Sequence, residues 1–160
     1  MNKVVCEWRT ALRRLAGSLH AGHQDAEGDR SAERILALVP EGPNRRILEA
    51  ASEDAGWALT WSNAEACGGV PAIVVYDREL SPQHWGEIVR AFAKESPRPY
   101  IILLSPTVDA NLWTELERAG GSDIVRTPIR RDYLLWALIR AWQLWRTQQN
   151  VRTPAGAVTK

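Results

Sequence analysis

Apolar positions follow two patterns along this chain, and the change between them is abrupt. Over residues 3–20, Val5, Trp8, Leu12, Leu15 and Leu19 recur at spacings of 3-4-3-4. That places one narrow apolar stripe on a helix, with Arg9, Arg13 and Arg14 off the stripe. Residues 21–32 (AGHQDAEGDRSA) are polar, carry two glycines and predict a linker.

From residue 33 onward, short apolar runs alternate with helical periods. The runs 35–39 (ILALV), 72–76 (AIVVY) and 100–104 (YIILL) are continuous, as in strands buried on both faces. Residues 57–61 (WALTW) alternate large and small, which suits a half-buried edge strand. A short strand is expected at 123–125. Gly42-Pro43 opens a helix through about Ala55, with Gly56 past its end. Ser81-Pro82 predicts an N-cap and first turn for a helix to about Lys94. Asp109 caps a helix closing at Gly120-Gly121, and a long helix spans about 130–148.

The resulting division is an N-terminal amphipathic helix at 1–20, a linker at 21–32, an α/β domain at 33–148 and a frayed tail at 149–160. Strand–helix alternation predicts a doubly wound parallel sheet with helices on both faces. Five strands fit the flavodoxin-like order 2-1-3-4-5, in which chemistry sits at the C-terminal strand ends. Only residues 62–71 (SNAEACGGVP) are left to cross from the second strand to the third. A parallel crossover needs roughly ten residues with its helix. The second helix is therefore expected to be truncated, within 63–67, or absent.

Composition narrows the function classes. Lys+Arg number 20 against 19 Asp+Glu, so no global basic excess draws in nucleic acid. The arginines of the last helix are spread along its length and read as a solvated rim. Cys6 and Cys67 form neither a disulfide framework nor a zinc set, which fits a reducing, cytoplasmic setting. No apolar run approaches the roughly 20 residues that span a bilayer, and no signal-peptide core follows the N-terminus. His20 and His23 belong to the solvated linker region. A Ser105–His84–Asp77 triad lacks a nucleophile elbow and an oxyanion hole. Tryptophan is the outlier: 8 Trp stand beside one Phe and 3 Tyr, which points to wide, half-buried contacts.

The strand ends carry the informative residues. Residues 71–77 (PAIVVYD) end in Asp77, 101–106 (IILLSP) reach Ser105, and 119–128 (AGGSDIVRTP) run into Thr127-Pro128. In order and at these strand ends, they resemble the receiver domain of bacterial two-component response regulators over about residues 33–146. The resemblance implies that Asp77 is the phosphoacceptor position and that Ser105 and Thr127 are phosphate-contact positions. It places the switch position at Ile124 and a cis bond at Thr127–Pro128. Trp85 after the third strand and Leu112-Trp113 in the next helix are similar to receiver-like proteins that are often degenerate.

Receiver chemistry needs an acid pair after the first strand for Mg²⁺, a lysine and a hydroxyl. Counting back from Gly56 puts Val39 and Pro40 at the acid positions. A shift by one puts Pro40 and Glu41 there. Thr127 stands at the lysine position. The expected function is a degenerate receiver-like signalling module that acts by protein–protein contact, without a cofactor. The alternative is a conventional regulator phosphorylated on Asp77 by a histidine kinase, with Mg²⁺. A small metal-dependent enzyme using Asp77 is the third reading. No membrane or nucleic-acid partner is expected.

The expected docking surface is the last two helices and the last strand. In the final helix Leu134, Leu138, Ala141, Trp142 and Trp145 suit the sheet. Leu135, Trp136 and Ile139 are left for solvent or a partner. The stripe Val5, Trp8, Leu12, Leu15 and Leu19 also needs a cover. The simplest expectation is that each surface covers the other, favoured as a homodimer.

Overall fold

The computed structural model describes residues 34–61 and 71–152. The helix expected at 1–20, the linker at 21–32 and the crossover at 62–70 lie outside the described residues, as do Val5, Trp8, Leu12, Leu15 and Leu19.

Five strands, β1 (Arg34–Leu38), β2 (Ala58–Trp61), β3 (Ile73–Asp77), β4 (Tyr100–Ser105) and β5 (Asp123–Arg126), form one parallel sheet in the order β2-β1-β3-β4-β5. Four helices connect and cover it: α1 (Pro43–Ala55), α2 (Trp85–Ala93), α3 (Ala110–Ala119) and α4 (Arg131–Arg152). A 3₁₀ turn, Arg78–Leu80, leaves β3 directly. This is the flavodoxin-like architecture that the alternation predicts.

Alternation along the strands sorts the core into two layers. Ile35, Ala37, Val39, Ile73, Val75, Ile102, Leu104 and Val125 face α1 and α4, meeting Leu48, Ala51, Leu134, Leu138 and Ala141. Leu36, Leu38, Val74, Tyr76, Ile101, Leu103 and Ile124 face α2 and α3. β2 is the edge strand, and Trp57, Leu59 and Trp61 lie half-buried against the first layer. Arg45 of α1 stacks over Trp61, 3.9 Å from the ring centre, so the large edge residue gains a cation–π contact.

Local signals place most element ends. Asp109 Oδ1 accepts from Leu112 N–H at 2.8 Å, which makes it the α3 N-cap. Gly120 closes that helix in the left-handed conformation. Gly56 does the same for α1, and Pro43 stands at its start.

Two expectations are corrected. Ser81 opens only an isolated turn after the 3₁₀ turn from Asp77, its carbonyl accepting from His84 and Trp85 N–H at 3.0 Å. α2 starts only at Trp85, after His84. The last helix, expected to end at about 148, continues through Arg152, and residues 153–160 of the expected tail lie outside the described residues. The half-buried Trp142 and Trp145, stacked with ring centres 5.3 Å apart, pack against the core and extend it along the helix.

Candidate functional site at the strand ends

The last residue of β3, Asp77, is 2% exposed, and the last residue of β4, Ser105, is fully buried. Both sit at the C-terminal edge of the sheet because β3 and β4 pair in parallel register, with Asp77 beside Leu104. Asp77 caps the turn that follows: its Oδ1 accepts from Glu79 N–H at 3.0 Å. The Asn44 amide, in the first turn of α1, is its second hydrogen-bond partner. Burial pushes the Asp77 carboxyl above the ordinary carboxylate range, and these two donors only partly offset it. The buried hydroxyl of the preceding Tyr76 has no hydrogen-bond partner among the described residues, and burial and the Asp77 charge hold its proton more tightly than usual.

Asn44 also accepts from Ile129 N–H at 3.2 Å. One amide therefore ties the aspartate to the segment after β5. That segment contains Thr127, half-buried, and the Thr127–Pro128 bond is cis, as the resemblance implies. Thr127 N–H donates to Ser105 carbonyl at 2.9 Å, so the three strand ends β3, β4 and β5 converge on Asp77, Ser105 and Thr127. Ile124, at the switch position, is buried in the layer under α2 and α3.

The acid-pair positions do not join this group. Val39 is core, Pro40 is exposed, and the Glu41 side chain is 93% exposed, 3.9 Å from Arg45. Mg²⁺ takes hard oxygen ligands, usually carboxylates and water. Val39 and Pro40 offer no side-chain oxygen and Glu41 turns to Arg45, so this chain's residues do not fit the Mg²⁺ site of the resemblance. Among the described residues no group of three or more His, Cys, Asp or Glu could hold a metal ion.

One residue of the site escaped sequence reasoning, and one was expected to face solvent. Asn44 reads as an ordinary first-turn residue, and only its two long-range contacts reveal it. In the sequence, Arg78 and Arg126 are the only local cationic candidates to pair with a phosphate on Asp77, and both read as facing solvent. In the structure Arg78 Nη1 instead reaches back over β4, 3.5 Å from Ser105 Oγ and 3.3 Å from Thr107 Oγ1. The signal was its place directly after the strand, in a turn that bends the chain toward β4.

The docking candidates divide. On α4, Trp136 is 72% exposed and Tyr133 is 59% exposed. Leu135 and Ile139 are half-buried, so they are weaker surface features than the sequence suggested. Leu144 and Val151 are exposed and were not anticipated. Tyr133, Leu144 and Val151 are 11 and 7 residues apart, close to whole helical turns, and thus share one side of α4. No helix of the described residues is long and apolar enough to cross a membrane.

No family model and no curated protein matches the chain. Solved structures do. The chemotaxis protein CheY4 of Vibrio cholerae matches with a TM-score of 0.59 at 19% identity, covering 68% of this chain and 97% of that one. A response regulator from Thermotoga maritima matches with a TM-score of 0.60 at 22% identity, over 69% and 97% of the two chains. A CheY-like response regulator receiver domain protein from Methanospirillum hungatei matches at 0.58 and 15% identity, over 72% and 98%. The chain thus shares the fold of CheY-like receiver domains.

Proposed function

We propose that this protein is a receiver-fold signalling module that works by docking to protein rather than by Mg²⁺-dependent phosphotransfer or catalysis. The carrying observation is the pairing of an incomplete site with an exposed aromatic surface. Glu41 is exposed beside Arg45, Thr127 supplies no charge, and Tyr133 and Trp136 are exposed on α4. Burying a large apolar side chain contributes roughly 1.5–3 kcal/mol, so leaving both in water forgoes a sizeable gain.

The occupant we assign to this surface is a second copy of the chain, presenting its stripe Val5, Trp8, Leu12, Leu15 and Leu19. Thirty-three residues precede β1, and the stripe lies within them. The 13 residues from 21 to 33 span at most about 43–47 Å when extended, enough to carry the stripe to a neighbouring molecule. The setting that fits this reading is the cytoplasm.

Intact-mass measurement after incubation with acetyl phosphate and Mg²⁺ tests the first half. Little phosphoryl uptake on Asp77 is expected. Stoichiometric, Mg²⁺-dependent uptake removed by Asp77→Asn would instead establish the conventional regulator. Pro40→Asp combined with Thr127→Lys should increase uptake if the missing groups are the cause.

A further inference from the structure

Two donors on the last turns of α4 lack acceptors. Trp145 Nε1–H and Gln149 Nε2–H are buried, and among the described residues neither has a hydrogen-bond partner. The two residues are four apart, so they share one side of the helix. Trp142, stacked on Trp145, and Trp57, just before β2, pack on the same core layer. A buried N–H without an acceptor is costly. A wall of tryptophan rings also gives a bridging water too few polar partners.

The fold places these donors beside the point where the chain enters the domain. α4 starts after the C-terminal end of β5 and runs back along the sheet. From Arg131 it advances about 21 Å to Trp145 and about 27 Å to Gln149. The five residues of β1 advance only about 17 Å. Both donors therefore stand at or past the N-terminal edge of the sheet. β1 begins at that edge, with Arg34 beside Ala58, the residue after Trp57.

The donor spacing selects the acceptor. Four residues of helix advance about 6 Å. In an extended segment, carbonyls two residues apart face the same way and lie about 6.6 Å apart. One extended segment laid along α4 thus meets both donors with alternate backbone carbonyls. The residues that lead directly into β1 are at hand for this. The chain after Arg152 leaves α4 beyond Gln149 and would have to turn back.

We infer that residues 27–33 dock as an extended strap along the last turns of α4, with two of their backbone carbonyls accepting from Trp145 Nε1–H and Gln149 Nε2–H. The strap does not rest on the docking reading above, because Tyr133 and Trp136 lie nearer the start of α4. It leaves residues 21–26 as the free arm between the domain and the N-terminal stripe.

The test uses the full chain and NMR of the tryptophan indoles, with Trp145 assigned through Trp145→Phe. A nitroxide is attached at Gly28→Cys, or at Ala157→Cys, in a chain carrying Cys6→Ser and Cys67→Ser. The Trp145 indole N–H is expected to exchange at least about tenfold more slowly than a free indole. The label at 28 should broaden it strongly and the label at 157 weakly. Gln149→Met should leave the protection in place. Fast exchange, no broadening from 28, or stronger broadening from 157 would overturn the strap. Protection lost in Gln149→Met would also overturn it, by making the Gln149 carbonyl the acceptor. When the nitroxide sits on one chain and the observed indole on another, the broadening should vanish. Broadening retained in full would give the strap to a second copy and overturn the assignment within one chain. Light scattering on the same samples reads the dimer separately, so the two readings fail independently.

Discussion

Asp77 shows how one residue carries both a fold role and a pH signature. Its carboxyl is buried, and burial raises its proton affinity in the folded state. The folded chain therefore holds that proton more tightly than the unfolded chain. Below the ordinary carboxylate range both states are protonated and no penalty arises. As pH rises through the raised folded value, the full cost of a buried charge appears. Asp77→Asn is predicted to raise the Tm at neutral pH, with a gain that fades as pH falls below the carboxylate range. Thermal unfolding at several pH values measures this. A gain that grows toward acid would show that the carboxylate's hydrogen bonds, and not its burial, dominate. Asn44→Ala belongs to the same scale. It leaves Ile129 N–H without its acceptor and should cost about 1–3 kcal/mol in denaturant unfolding. Asp77, Ser105 and Thr127 were legible in the sequence because strand runs end at them. Asn44 was not, and Arg78 was legible as a nearby cation but not in its placement, because their contacts join distant segments and leave no local period.

At the scale of elements, two glycines with the same conformation separate backbone strain from crowding. Gly56 has φ 72° and open space around a would-be Cβ. Gly120 has φ 93°, and its would-be Cβ lies 2.6 Å from the Ala93 side chain, where α2 and α3 meet. Gly56→Ala should cost on the order of 1 kcal/mol from conformation alone. Gly120→Ala should cost more, on the order of 2–3 kcal/mol, since α3 must also move off α2. Equal losses in paired denaturant curves would show that the contact yields freely. The caps explain why these elements were readable: Asp109, Gly120, Pro43 and Gly56 are local signals that the chain obeys. Ser81-Pro82 carries the same signal and yields only a turn, with Ser81 carbonyl accepting from His84 and Trp85 N–H before the regular helix starts at Trp85. The end of α4 was misplaced for another reason. Residues 149–152 lack an apolar period, and the helix continues beyond the last core-packing tryptophan, Trp145.

For the whole molecule, the account turns on what covers α4. The sheet core was legible because buried parallel strands are continuous apolar runs. Which side of α4 faces out was only partly legible, since Leu135 and Ile139 lean on the domain while Tyr133 does not. Deleting residues 1–20 is predicted to leave the receiver-fold domain folded but to expose the α4 aromatics, lowering the mass in solution or promoting aggregation. A truncated chain of unchanged oligomeric state and stability would make the N-terminal stripe irrelevant to that surface. The most direct test is light scattering on the full chain and on the double variant Tyr133→Lys/Trp136→Lys. The account predicts a dimer mass for the full chain and a monomer mass for the variant, with the domain still cooperatively folded. A full chain that stays monomeric at every concentration, or a variant that keeps the dimer mass, would contradict it.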